Sequence, residues 1–253
     1  MLLKYLENDL NKELKLNEFM FDRSLNGIQV DASKDKEVKK IAVAVDACYQ
    51  SIEKACEINA DLLIVHHGLF WGTPLAIAGP HYNRVKKLLD NDIALYAAHI
   101  PLDAHPVLGN NAQMCKKLGL INIEPFSKYK GVYCGFKGEF TVAVTADDIC
   151  NTLGFSKADG LLRLDFGKKE IKTIGIVSGA AGEDAALAAE EGLDAFITGE
   201  IPHQVYHQAL EDNINVIAGG HYMSETFGVL AVGQMLKDKY DIDFEFIDIR
   251  TGT

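Results

Sequence analysis

Residues 41–68 read "IAVAVDACYQSIEKACEINADLLIVHHG", and residues 174–201 read "IGIVSGAAGEDAALAAEEGLDAFITGEI". The two align without a gap. Each passes from a short aliphatic run, through an alanine-bearing segment of helical period, to a second aliphatic run entered by an aspartate, Asp61 or Asp194. Short continuous apolar runs on either side of an amphipathic helix are the pattern of a parallel βαβ unit, whose strands are covered on both faces. Because the unit occurs twice, the chain reads as two related α/β lobes. In both copies the second strand runs out into polar residues, "HHG" at 66–68 and "GEI" at 199–201.

The likeness extends further along the chain. "DIALYAAHIPLD" from Asp92 resembles "NINVIAGGHYMSE" from Asn213, each an apolar strand leading to a histidine followed four residues later by a carboxylate. Those pairs are His99 with Asp103 and His221 with Glu225, and the two strand registers differ by one residue. Ligands of open α/β sheets gather at the carboxyl ends of strands, where all these polar residues fall. Between the copies, "KYKGVYCGFKGEFTVAV" at 128–144 has the alternation and glycine punctuation of a β-hairpin, and "TADDICNTLGF" at 145–155 reads as a helix capped by Thr145.

Successive strand residues point to opposite faces, so His66 and His67 reach one crevice only if the strand ends at them, with Gly68 allowing the backbone to turn. Two imidazoles flanking a shared pocket suggest one ligand for each of two metal ions. His221 and Glu225, at i and i+4 with Ser224 or an earlier residue as helix cap, would share one helix face. Asp103 adds a carboxylate from a loop stiffened by Pro101 and Pro106. Shared between two divalent ions with one carboxylate bridging, these five ligands leave positions open for water, as a catalytic site requires. Imidazole and carboxylate donors suit Zn, Mn, Fe, Co or Ni. His99 is expected to stand behind the ligands and hold one of them in place. His81 and His105 read as ordinary surface or core histidines.

With 48% hydrophobic residues in 253, the chain can fill a core of one large domain or two small ones. A net charge of -11 argues against coating DNA or an anionic membrane non-specifically. The five scattered cysteines contain no C-x-x-C pair and form no disulfide framework, as expected of a reducing cytoplasm. Neither a signal-peptide pattern nor a run of apolar residues long enough to span a bilayer is present, so a soluble cytoplasmic protein is expected.

Together, "DRSLNGIQV" at 22–30, "DLLIVHHGLFW" at 61–71, "NDIALYAAHIPLDAHPVLGNN" at 91–111, "AFITGEIPHQ" at 195–204 and "AGGHYMSETFGV" at 218–229 resemble the NIF-three-like family, also called the GTP cyclohydrolase I type 2 family. The resemblance covers nearly the whole chain, without the extra domain that some members carry between the halves. It implies the NIF-three-like fold of two similar intertwined α/β lobes, residues 1–106 plus about 218–253 and about 107–217. It also implies a toroidal homohexamer and a dinuclear metal site whose ligands fall on His66, His67, Asp103, His221 and Glu225. The cyclohydrolase label implies opening of the imidazole ring of GTP with loss of formate. The chain has no P-loop and no G-x-G-x-x-G, so a triphosphate would have to rely on Arg84, Lys86 and Lys87, which read equally well as a solvated helix face.

Three functional readings follow. The first is a metal-dependent hydrolase of a small molecule, with Glu200 and His203 as general acid or base. The second is a ring that binds DNA, single- or double-stranded, through Lys128, Lys130 and Lys137 interleaved with Tyr129 and Tyr133, a mixture that one apolar hairpin face explains as well. The third is a metal-handling protein without turnover.

Overall fold

The computed structural model describes all residues from Met1 to Thr253. The chain forms two compact units, Met1–Leu102 with Gly228–Ile249, and Asp103–Phe227 with Arg250–Thr253.

The first unit opens with α1 (Leu3–Glu13) and a 3-10 turn at Leu16–Phe19, followed by β1 (Gly27–Val30) and β2 (Lys40–Asp46). It continues through α2 (Tyr49–Glu57), β3 (Leu62–His67), α3 (Gly79–Asp90) and β4 (Ala94–Ala97). The one-turn helix α4 (Ile100–Asp103) carries the chain to the second unit. There α5 (Asn110–Leu118) precedes a hairpin of β5 (Ile121–Tyr129) and β6 (Val132–Val144), then α6 (Ala146–Leu153), β7 (Leu162–Asp165) and β8 (Ile171–Ile176). α7 (Ala185–Glu190), β9 (Ala195–Thr198), α8 (Val205–Glu211), β10 (Asn215–Ala218) and the one-turn α9 (His221–Ser224) follow. α10 (Thr226–Tyr240) returns the chain to the first unit, where β11 (Asp243–Phe246) is the last strand.

In the first unit the sheet order is β1-β4-β3-β2-β11, with β11, β2, β3 and β4 parallel and β1 antiparallel at the edge. In the second it is β5-β6-β8-β9-β10-β7, with β8, β9 and β10 parallel. The duplicated sequence thus forms β2-α2-β3 and β8-α7-β9, each extended by a third parallel strand, and beyond that strand each sheet has an antiparallel neighbour, β1 or β7.

The apolar runs are strands because both of their faces are covered. Leu63 and Val65 pack in one core with Ala42, Ile52 and Leu88, while Leu62 and Ile64, which alternate with them, are equally buried. In the second unit Ala195 and Ile197 join a core with Ile149 and Ile174, and Phe196 between them joins another with Phe126 and Val216. The helix signals are local. Thr145 caps α6 in a reciprocal box with Asp148, and Cys48 with Ser51 does the same for α2. The hairpin turns at Lys130 and Gly131, both at positive φ (49° and 90°), the geometry that a two-residue turn between twisted strands requires.

Asp61 and Asp194 explain why each copy enters its second strand with an aspartate. The Asp61 carboxylate accepts hydrogen bonds from the Lys39 and Lys40 amides (2.8 and 3.1 Å) and pairs with Lys36 at 3.1 Å. Asp194 accepts from the Lys172 and Thr173 amides (2.9 and 3.1 Å) and from Lys168 at 2.6 Å. Each side chain ties the start of one strand to the start of the next.

The one-residue difference in register is not in the strands. Leu62 opposes Ala94 and Ala195 opposes Asn215, so the third strands match, and the extra residue falls after β10. Gly220 sits there at φ 98°, and a Cβ on it would lie 2.2 Å from the Asp159 carbonyl oxygen.

Candidate metal centre

In the first unit the site lies at the carboxyl ends of β2, β3 and β4. β3 ends on His66 and His67, whose ring centroids are 4.7 Å apart and tilted by 46°. His99, two residues beyond β4, has its ring centroid 5.1 Å from that of His66 and 5.7 Å from that of His67. Ring nitrogens of the three lie within 4.8 Å of one another. The sequence suggests that His99 stands behind the ligands; in the structure its ring lies beside those of His66 and His67, and the three form a group that could hold a metal ion.

Each of these rings is oriented by an oxygen. His66 Nδ1 is 2.9 Å from the Ala98 carbonyl oxygen, His67 Nδ1 is 2.9 Å from Asp46 Oδ1, and His99 Nδ1 is 3.0 Å from Asp22 Oδ1. A carbonyl and a carboxylate accept, so each Nδ1 is the donor of its ring, and in the neutral tautomer this selects, Nε2 is the nitrogen with the lone pair. This is the arrangement that fixes tautomer and ring orientation in metal-binding histidines. Burial pushes the Asp22 carboxyl up, but hydrogen bonds from His99 and Asn26 outweigh it and hold the group at about 2. Asp22 therefore stays an acceptor at neutral pH.

Trp71 closes the same face, with its ring 5.0 Å from His99 and 5.8 Å from His67, and its indole N–H donates to the Gly68 carbonyl at 2.9 Å. Leu69 is buried, and Phe70 packs edge-on against His81. Gly68 is needed for space rather than for a turn. Its φ lies outside the left-handed region, but a Cβ would fall 2.4 Å from the Gln29 amide, which accepts hydrogen bonds from the Leu69 and Phe70 amides.

In the second unit the corresponding strand ends gather His221, Glu225, Glu200 and Asp103 with a ring of hydroxyl and amide partners. His221 Nε2 is 3.2 Å from Glu225 Oε1, and its Nδ1 is 2.9 Å from Glu200 Oε1. The i, i+4 pairing spans a break: α9 stops at Ser224, and Glu225 (φ −109°, ψ 4°) links it to α10. Ser224 is not a cap. Its hydroxyl donates to the His221 carbonyl at 2.8 Å and accepts from the Gly179 amide at 3.0 Å, pinning the turn against the loop after β8. The hydrogen bond to Glu225 raises the His221 pKa, burial opposes it, and Glu200 adds to it, leaving the group at about 9. His221 is thereby held as a cation between two carboxylates, and a metal ion held by Nε2 would have to displace that proton.

Asp103 ends the helical turn α4 rather than sitting in an irregular loop. Its Oδ1 accepts from Asn110 Nδ2 at 2.8 Å and from the Ser178 hydroxyl at 2.9 Å, in a buried setting. Glu225 is buried as well, only 3% exposed. Buried carboxylates beside imidazole are the donor set of a divalent transition ion, so the residues present fit such a group.

Other sequence candidates fall elsewhere. Glu200 holds the His221 ring, whereas His203 lies on the exposed approach to α8 with its ring centroid 6.5 Å from that of His207. His105 accepts from the Val107 and Leu108 amides, a local turn role. Lys86 and Lys87 pair with Asp90 and Glu53 on the surface of α3. On the hairpin, Lys128 lies over Tyr133 and Lys130 over Tyr129 near the tip, with both tyrosines exposed. Lys137 is engaged by Glu191 (2.8 Å) and Glu124 (3.4 Å), and Phe126 is in the core. Asp22 and Asp46, which hold the His99 and His67 rings, are partners that sequence reasoning missed. The signal for Asp46 was its place at the end of β2, directly opposite His67 in the sheet.

Comparison with known proteins gives one family. The model described as Duf34/NIF3 (NGG1p interacting factor 3) matches residues 1–252. A "GTP cyclohydrolase 1 type 2 homolog" of Pyrococcus abyssi is 44% identical over 232 residues, 91% of this chain and 92% of its own length. One of the same description from Deinococcus radiodurans is 42% identical over 231 residues, 91% and 87% of the respective chains. The crystal structure of TTHA1606 from Thermus thermophilus superposes with a TM-score of 0.88 at 37% identity, covering 100% of both chains.

Proposed function

Because the chain belongs to the Duf34/NIF3 family, we propose that its histidine and carboxylate groups form a dinuclear divalent-metal centre that hydrolyses a small molecule. His66, His67, Asp103, His221 and Glu225 are the assigned ligands, and His99 either backs one of them or completes the set. The observation that carries this reading is the convergence of His66, His67 and His99, each with Nδ1 held by an oxygen so that Nε2 is the donor nitrogen. Divalent ions in such a site supply Lewis acidity and an acidified water.

The remaining work belongs to the protein's own groups. Asp46, Asp22 and Glu200 fix the imidazole tautomers, Asn110 and Ser178 orient the Asp103 carboxylate, and Trp71 keeps one side of the crevice apolar. The relatives' description favours a cyclic amide or amidine of nucleotide type as substrate. Metal-loaded protein should release product from a panel of nucleotides and cyclic amides, and Glu225→Ala should lose that activity. Equal rates with the two proteins would refute the hydrolase reading, and ions bound with no turnover of any substrate would favour metal handling.

A DNA-binding ring is the second reading, supported by the exposed Lys128–Tyr133 and Lys130–Tyr129 pairs. It predicts a homohexamer in sedimentation experiments and DNA affinity that falls steeply with salt. Affinity indifferent to salt would exclude it.

A further inference from the structure

A cavity of about 700 Å³ opens in the first unit between the C-terminal end of α1, the 3-10 turn and the loop of residues 20–26. That volume is in the range of small-molecule sites. The loop carries Asp22, Ser24, Leu25 and Asn26 of the "DRSLNG" stretch, of which the metal centre uses Asp22, behind His99, and Asn26, which bonds Asp22 and the His99 amide, but not the Ser24 side chain.

Three features give the cavity a chemistry. Lys12 and Lys15 line it with no ion-pair partner within the chain, and Lys15 is held there in the left-handed region at φ 51°. Asn8, Asn11, Asn17 and Glu18 add amide and carboxylate groups, and the Asn11 side chain is fixed by the Tyr96 hydroxyl at 3.0 Å. Ser24, a lining residue only 5% exposed, has a buried hydroxyl with no hydrogen-bond partner in the protein. Buried hydroxyls in folded proteins are nearly always satisfied, so one left over in a cavity wall points to an acceptor that the protein itself does not supply.

We propose that this cavity binds a small hydroxyl-bearing phosphate ester. Lys12 and Lys15 take the phosphate, the asparagines and Glu18 take the hydroxyls, and the Ser24 hydroxyl donates to a ligand oxygen. Asp22 forms part of the wall and also holds His99, so an occupant sits against the back of the metal-binding histidines. That last connection rests on the proposed metal centre, whereas binding in the cavity does not.

The test is calorimetric titration of ribose 5-phosphate and of ribose into both metal-loaded and chelator-treated protein. Ribose 5-phosphate should bind saturably to both preparations, at least about tenfold more tightly than ribose, as two charge-assisted contacts require. Lys12→Gln/Lys15→Gln should erase that preference and leave metal content unchanged, since both lysines are exposed and outside the metal centre. Ser24→Ala should weaken the phosphate ester by about five- to tenfold. Absence of saturable binding up to about 10 mM, or unchanged affinity in the double lysine variant, would overturn the proposal. Neither result bears on whether metal binds, which elemental analysis of the same samples reads separately.

Discussion

Each imidazole of the candidate centre is held from behind by an oxygen, and that support should be measurable one residue at a time. Asp46→Asn and Asp22→Asn keep the shape of the side chains but remove the charge that fixes His67 and His99. Each substitution should lower zinc affinity about 10- to 100-fold in a competitive chelator titration, with circular dichroism unchanged. Gly68→Ala makes a different demand, because its Cβ would displace the Gln29 amide from Leu69 and Phe70. It should cost about 1–3 kcal/mol in urea unfolding and cost little further in a Gln29→Ala background, since the two share one interaction. The adjacent histidines were the most legible of these residues in the sequence, because two imidazoles ending an aliphatic strand have few structural uses, and His99 and Gly68 were singled out with them. Asp22 was not, since 77 positions separate it from the ring it holds.

Elements repeat because the sequence repeats, and the strongest evidence is the paired aspartates. Asp61 and Asp194 tie β2 to β3 and β8 to β9 through the same two amides and one lysine. Burial raises both carboxyls, but hydrogen bonds from those amides and lysines outweigh it and hold both below the ordinary value. A depressed folded-state pKa contributes stability that is present above the unfolded value near 4 and is lost as pH falls through the lowered one. Asp194→Ala should therefore cost about 1–3 kcal/mol at pH 7, and the gap to the wild type should close below about pH 4. A gap independent of pH in acid unfolding curves would mean that the charge of Asp194 is not what joins the strands. The duplicated strands, the hairpin and the Thr145 cap were all readable from period and turn chemistry. The break between α9 and α10 was not, because the i, i+4 spacing of His221 and Glu225 is also that of one continuous helix. The one-residue difference between the copies was readable too, but not its place after β10, where Gly220 packs against the Asp159 carbonyl.

At the scale of the molecule, the family and the two-sheet α/β fold follow from sequence and structure together, and no helix is long and apolar enough to cross a membrane. What the sequence could not supply is how each imidazole is oriented, since the oxygens behind the rings come from four separate strand ends and loops. The central claim is that these groups hold metal. Elemental analysis of the protein purified from its native host, with Glu225→Ala and His66→Ala prepared in parallel, tests it most directly. The account predicts about two divalent transition ions per chain in the wild type and about one or fewer in each variant. Wild-type protein that retains no ion above buffer level after dialysis, or variants that retain the full complement, would contradict it.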